Sequence, residues 1–223
     1  DSASERYIFT QLNPITKTIF NPVDNNILRY LDDDGSPIEP VFYAPIIPML
    51  LVNGTKGIGT GFSTDIMCYN PKDLIAFLKQ LLAGDANPTT TLEPYYNGFK
   101  GKIMKVTPTK YLIKGVYEKM DKTTLSITEL PVGTWTDDYK GYLEKEIENP
   151  KKIIKEYTDM STDKSVLFTV KFHTGALEKL EATSTADPNI NAIEKYLRLA
   201  SSHSTTNMYL FDAEDKLKKY ETV

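Results

Sequence analysis

The sequence is poor in the residues that build disulfide-rich or metal-stabilised folds. Among its 223 residues it has one cysteine, Cys68, and two histidines, His173 and His203. A single cysteine excludes an internal disulfide framework and makes an intracellular protein the default expectation. So few Cys and His side chains also leave little for a zinc site, and we expect both histidines to have surface or packing roles.

Long apolar runs and an excess of basic charge are absent as well. No stretch of 18 apolar residues occurs, so no membrane span or membrane partner is expected. The net charge of −4 argues against a chain coated in basic charge but leaves room for a local basic face. The chain begins Asp1-Ser2-Ala3-Ser4, without methionine or an apolar leader. We take this start to indicate a section of a longer protein.

What is present predicts an α+β fold rather than an alternating parallel sheet. Pro and Gly interrupt residues 1–70, where only short helices across 11–20 and 23–31 are expected. Asn70, Pro71 and Asp73 are typical of a helix start, so a helix is predicted over 70–83, followed by a loop over 84–98. Later strands are predicted over 102–107, 111–116, 124–128, 166–172 and 207–211, and later helices over 136–148 and 174–182.

Lysines are concentrated in one part of the chain. Seven lie between residues 100 and 122: Lys100, Lys102, Lys105, Lys110, Lys114, Lys119 and Lys122. Many fall at even spacing, which on strands places them on one face. Such a face either is simply solvated and protects sheet edges, or binds phosphates.

The densest glycine run is Lys56-Gly57-Ile58-Gly59-Thr60-Gly61. It has neither the spacing of a dinucleotide-binding fingerprint nor the Gly-Lys-Ser/Thr end of a Walker A loop. One interpretation is a tight turn between strands. The other is a backbone that approaches a ligand closely and projects Ile58, an apolar side chain of the kind that unstacks DNA bases.

Other candidate sites are weaker. Asp32-Asp33-Asp34-Gly35 lacks the spacing and the later glutamate of an EF-hand, so a solvated turn is favoured over a cation site. There is no Gly-x-Ser-x-Gly motif, and Cys68 has no recognisable base. Arg6, one of few arginines, directly precedes Tyr7. A guanidinium favours a phenolate and stabilises charge on an attacked phosphate, so the pair suits phosphate chemistry, although it is a common dipeptide.

Taken together and in order, these residues resemble eukaryotic-type DNA topoisomerase II in its breakage–reunion region. The resemblance covers nearly the whole chain. It is carried by Arg6-Tyr7-Ile8-Phe9-Thr10, Pro45-Ile46-Ile47-Pro48-Met49, Asn53-Gly54, Gly57-Ile58-Gly59-Thr60-Gly61, Glu129-Leu130-Pro131-Val132, Thr134-Trp135-Thr136, Tyr139-Lys140, Asn207-Met208, Leu210-Phe211-Asp212 and Lys218-Lys219-Tyr220.

The resemblance implies roles for individual residues. Tyr7 would attack a DNA phosphodiester and join to the 5′ phosphate, and Arg6 would stabilise the transition state. Ile58 would insert between base pairs, and Trp135 matches a DNA-contacting position. Lys56, Gly57 and Gly59 are expected to approach DNA around Ile58.

It also implies an architecture and partners. Residues 1–65 would end a winged-helix region and lead into a tower domain over 66–215, with 216–223 leading towards a coiled-coil exit gate. Double-stranded DNA and a second copy of the protein are the implied partners. ATP and Mg²⁺ would be cofactors of the whole enzyme, both bound outside this chain, and the isolated chain is expected to be a non-catalytic DNA-binding module.

Some positions depart from the family pattern. Lys56 replaces a usual acidic residue and would add a phosphate contact, while Gly133 replaces an arginine beside Trp135. Glu5 stands where the pattern has proline, and Phe42 and Phe62 stand where it has tryptophan. These departures suggest a divergent member from a protist or a large DNA virus. The expected location is the nucleus for a cellular eukaryote, or the host cytoplasm for a virus that replicates there.

Overall fold

The computed structural model describes residues 4–223, except for the side chain of Glu5, and divides into two compact units. One unit contains residues 1–55 and 68–93, and the other contains residues 56–67 and 94–223. The domain boundaries expected at residues 65 and 215 stay a prediction.

The first unit contains short elements and one long helix. After 3₁₀ turns at Glu5–Tyr7 and Pro22–Asn26, its elements are α1 Thr16–Ile19, β1 Tyr30–Asp33, β2 Ser36–Pro40, α2 Met49–Asn53 and α3 Pro71–Leu82. The side chain of Asn70 accepts a hydrogen bond from the Lys72 amide at 2.9 Å, which caps α3 as the sequence predicts. The helix predicted over 11–20 forms only at its end, because Asn13 and Pro14 begin a turn there. The helix predicted over 23–31 is wrong. A 3₁₀ turn stands there, capped by Asn21, and strand β1 follows it.

The second unit contains the remaining strands and helices. They are β3 Thr55–Ile58, β4 Ser63–Ile66, β5 Lys102–Thr107, β6 Lys110–Lys114, β7 Val116–Lys119, β8 Thr124–Glu129, α4 Thr136–Glu148, β9 Ile154–Asp159, β10 Phe168–Phe172, α5 Ala176–Ala182, α6 Ala192–Tyr196, β11 Ala200–Ser204, β12 Tyr209–Phe211 and β13 Leu217–Lys219. Strands and helices cluster separately, so the predicted α+β class is confirmed.

Two antiparallel sheets dominate this unit. One has the strand order β7-β8-β10-β9 and the other β11-β6-β5. The strand predicted over 111–116 is divided between them at Gly115. A Cβ at Gly115 would lie 2.3 Å from the backbone oxygen of Glu129, so only glycine allows this close crossing.

The main hydrophobic core lies between the four-stranded sheet and the helices of this unit. Phe168 and Val170 of β10 point into it and are fully buried, together with Leu125 and Ile127 of β8. Tyr139 of α4 packs edge-on against Phe168 and donates a hydrogen bond from its hydroxyl to the Leu197 carbonyl at 2.9 Å. This core gives the surface features described below a rigid support.

Candidate functional site

Arg6 and Tyr7 lie in an exposed 3₁₀ turn of the first unit. The Tyr7 amide donates to the Ser4 carbonyl at 2.9 Å, which closes the turn. The Tyr7 side chain is 70% exposed, and Cζ of Arg6 lies 5.2 Å from the centroid of its ring. Among the described residues nothing accepts from or donates to the Tyr7 hydroxyl. The geometry therefore offers a reachable phenol oxygen with a guanidinium beside it.

Ile58 lies at the end of strand β3, in the hairpin that β3 and β4 form in the second unit. Its side chain is 94% exposed. The Gly59 amide donates to the Phe62 carbonyl at 2.8 Å, and Gly61 turns the chain with a φ of +83°. The sequence left open whether these glycines form a tight turn or present Ile58 to a ligand; the hairpin combines both features.

The two glycines that flank Ile58 differ in what surrounds them. A Cβ at Gly59 would lie 2.7 Å from Cζ of Phe62, whereas a Cβ at Gly57 would meet nothing within 4 Å. Packing inside the hairpin therefore accounts for Gly59. The open space beside Gly57 leaves its backbone free for close approach by another molecule.

Lys56 precedes this pair of glycines on β3 and is highly exposed. Its Nζ lies 3.8 Å from Oδ2 of Asp65 on β4. The sequence suggested a phosphate contact for Lys56 but gave no sign of this acidic neighbour, because hairpin pairing was not predicted there.

Trp135 stands at the N-cap of α4 with its side chain 75% exposed. It borders a cleft of about 670 Å³, whose lining also includes Lys100, Lys164 and Thr162. The Lys100 amide donates to Oε2 of Glu129 at 3.1 Å, which holds one wall of the cleft. An exposed indole beside two lysines is suited to contact a base or a sugar–phosphate surface.

The lysine-rich stretch does not form one continuous face. Lys102 pairs across the sheet with Lys114, so these two share a face, whereas Lys105 pairs with Tyr111 on the opposite face. Lys114 and Lys119 are ion-paired with Glu194 and Glu181 at 2.8 and 2.6 Å. The basic surface that remains for phosphates is smaller than the sequence suggested.

The acidic run at Asp32–Asp34 forms the turn between β1 and β2. The Gly35 amide donates to Oδ1 of Asp32 at 2.9 Å, and Asp34 and Gly35 both have positive φ. The Asp32 carboxylate thus serves the turn. Among residues 4–223, no group of three or more His, Cys, Asp or Glu side chains is arranged to hold a metal ion.

The family model for DNA gyrase/topoisomerase IV, in its A-type subunit, matches residues 1–223. The chain belongs to this family. The resemblance to eukaryotic-type topoisomerase II is confirmed by its relatives. It is 43% identical to DNA topoisomerase 2 top-2 of Caenorhabditis elegans and 42% identical to DNA topoisomerase 2 of Plasmodium falciparum. These matches cover 99% and 100% of the chain but only 14% and 15% of the two relatives.

A solved structure in the same family matches over the full chain. The crystal structure of the Plasmodium falciparum topoisomerase II DNA-binding, cleavage and re-ligation domain has a TM-score of 0.87 and is 42% identical, and the match covers 100% of this chain and 29% of that one. The fold of this family member is therefore that of part of a topoisomerase II cleavage domain. None of its described helices is long and apolar enough to cross a membrane.

Proposed function

We propose that the chain is the part of a type II DNA topoisomerase that carries the cleaving tyrosine. The family match over all residues and the reachable Arg6–Tyr7 pair support this together. The whole protein would break both strands of one duplex, pass a second duplex through the break and reseal it.

Tyr7 is the proposed nucleophile. Its hydroxyl oxygen attacks a DNA phosphorus, the bond from phosphorus to the 3′ oxygen breaks, and the 5′ phosphate stays on the tyrosine. The phenol loses one proton while the departing 3′ oxygen gains one. Because the phosphotyrosine link conserves the energy of the broken bond, the reverse attack reseals the strand without a nucleotide. The Arg6 guanidinium, 5.2 Å from the ring, stabilises negative charge at the attacked phosphate.

Ile58 is the proposed wedge. An isoleucine that is almost fully exposed at the end of a hairpin is suited to enter between two base pairs and bend the duplex. Gly57 leaves space for a DNA strand beside it, while Gly59 acts on DNA through the shape of the hairpin. Lys56 and Trp135 add contacts to phosphate and base or sugar.

ATP and Mg²⁺ are proposed as cofactors of the whole enzyme, bound by parts outside this chain. The described residues do not fit either group. They contain no suitable acidic cluster, the Asp32 carboxylate serves its own turn, and the glycine run has no Walker A ending. We therefore assign no step of this chain's chemistry to either.

The protein is proposed to act as a homodimer on double-stranded DNA in the nucleus. Two tyrosines are needed to cut two strands, and one copy of this chain supplies one Tyr7. The two named relatives come from cellular eukaryotes, and nothing supports the alternative of a host cytoplasm.

The test is an assay of the full-length protein on supercoiled DNA with Mg²⁺ and ATP. We expect relaxation in steps of two linking numbers that depends on ATP. Steps of one, or relaxation that persists without ATP, would contradict a type II mechanism.

A second candidate concerns the chain on its own. As isolated it is proposed to bind DNA without cutting it, since Trp135, Lys100 and Lys164 lie together on the surface of the well-packed unit. Binding should weaken steeply with salt, because each neutralised phosphate releases a counterion. Affinity that does not change between about 50 and 200 mM salt would exclude this basic surface as the binding site.

A further inference from the structure

The hairpin that carries Ile58 is fixed to the second unit along β4. The Asp65 amide donates to the Asn207 carbonyl at 2.8 Å, and the Asn207 side-chain amide donates to Oγ of Ser63 at 2.9 Å. The Phe62 ring packs edge-on against Phe211, with centroids 6.1 Å apart. These contacts hold β4 but not the opposite strand, which ends at Ile58.

Asp65 is the residue of β4 whose side chain reaches in two further directions. Its Oδ2 lies 3.8 Å from Nζ of Lys56 on β3, and its Oδ1 lies 3.6 Å from Nε2 of His203 on β11. One carboxylate therefore faces the other strand of the hairpin and the neighbouring three-stranded sheet at once.

The contact with His203 is the more enclosed of the two. The His203 side chain is 19% exposed and that of Asp65 is 29% exposed, against 83% for Lys56. Nε2 of His203 is buried and has no hydrogen-bond partner among residues 4–223. A buried ring nitrogen without a partner is costly, so a hydrogen on Nε2 is stabilised by the adjacent carboxylate.

We propose that Asp65 is a positioning residue for Ile58: through His203 it fixes the hairpin to the β11-β6-β5 sheet, and through Lys56 it holds the two hairpin strands together. This rests on the wedge role of Ile58 proposed above. Asp65 and His203 touch no DNA in this account, and their effect on DNA bending passes through the position of the hairpin.

The test uses Asp65→Asn and His203→Gln, singly and combined, in the full-length protein. Each substitution keeps side-chain size and removes one member of the contact. Two quantities are measured: hydrogen exchange of the amides in residues 56–66, and the bend of a duplex labelled for energy transfer at both ends. Glu156→Gln is the matched control, because it removes a partner of the exposed Lys171 in the other sheet.

We expect Asp65→Asn and His203→Gln each to speed hairpin exchange about threefold and to reduce the bend, while Glu156→Gln changes neither. The double variant should match the single ones, because both disrupt one contact. Unchanged exchange, or effects of the two substitutions that simply add, would overturn the proposal.

A rescue variant tests the Lys56 contact. Lys56→Glu should open the hairpin, and Lys56→Glu combined with Asp65→Lys should restore part of the protection, since the charges are exchanged across the strands. No restoration would overturn this part of the proposal.

Ile58→Ala separates this proposal from the wedge role. If Ile58→Ala reduces bending and Asp65→Asn does not, the positioning role fails. If hairpin exchange responds as expected and no variant, Ile58→Ala included, alters bending, the wedge role fails instead.

Discussion

The ring of Phe62 covers the backbone of Gly59 so closely that a Cβ at Gly59 would lie 2.7 Å from Cζ of Phe62. Phe62 in turn packs against Phe211 of β12. The shape of the hairpin that carries Ile58 therefore depends on the absence of a side chain at position 59.

Gly59→Ala should destabilise the chain by about 1–3 kcal/mol, because the Phe62 ring must leave its position against Phe211. Gly57→Ala is the matched substitution, since a Cβ there meets nothing within 4 Å, and it should change stability by no more than about 0.5 kcal/mol. Urea unfolding of both variants measures the difference. Equal free energies of unfolding would show that Phe62 adjusts without cost.

Lys114 and Glu194 form the most enclosed ion pair of the second unit. Both carboxylate oxygens of Glu194 accept from Nζ of Lys114, at 2.9 and 2.8 Å, and Glu194 also completes a capping box with Asn191 at the start of α6. Glu194→Ala should cost about 3–5 kcal/mol, because it leaves a largely buried ammonium without its partner.

Glu181→Ala provides the comparison for that substitution. Glu181 binds the more exposed Lys119, so its loss should cost no more than about 1 kcal/mol. Thermal or urea unfolding of the two variants gives both values. Similar costs would mean that burial of the Lys114–Glu194 pair does not contribute to stability.

The tyrosines around α4 should make the fold sensitive to alkali. Burial, and then the neighbouring Glu146, raises the pKa of Tyr142 from 10.0 to about 12, and burial also raises the pKa of Tyr139. A phenol with a raised pKa in the folded state contributes stability that is complete below pH 10 and lost as the pH rises towards 12. The free energy of unfolding should therefore fall across this window.

The measurement is urea unfolding at several pH values between 9 and about 12. Tyr142→Phe removes one of the titrating groups and should make the fall less steep, although it also loses the hydrogen bond that Tyr142 donates to the Tyr196 carbonyl. A pH dependence identical to that of the unsubstituted chain would argue that Tyr142 titrates normally in the fold.

Ile58→Ala in the full-length protein should reduce DNA bending and cleavage while weakening DNA binding only modestly. The side chain makes its contribution by entering the base stack, and most of the affinity comes from phosphate contacts. Energy transfer across a labelled duplex measures the bend. Ile38→Ala, at an exposed isoleucine of β2, is the control, and an unchanged bend in Ile58→Ala would refute the wedge role.

The sequence was sufficient where local chemistry decides the structure. Helix α4 spans the predicted residues 136–148, and α3 begins at Pro71 behind the predicted cap Asn70. Prediction failed where a distant partner decides it. Strand β9 and the division at Gly115 depend on pairing across the sheets, and the approach of His203 to Asp65 joins residues far apart in the chain.

The same distinction applies to the candidate site. Tyr7, Arg6 and Ile58 were found because their motifs are short and continuous, and the exposure of Tyr7 and Ile58 agrees with their proposed roles. The seven lysines were overestimated as one face, because alternation along a strand does not reveal which sheet a strand joins or which carboxylate lies opposite.

The central claim is that Tyr7 is the residue that becomes joined to DNA. The most direct measurement is the yield of covalent protein–DNA adduct formed by full-length Tyr7→Phe, compared with Tyr43→Phe at another exposed tyrosine of the same unit. We predict no adduct from Tyr7→Phe with DNA binding retained, and a normal yield from Tyr43→Phe. An adduct of normal yield from Tyr7→Phe would contradict the account.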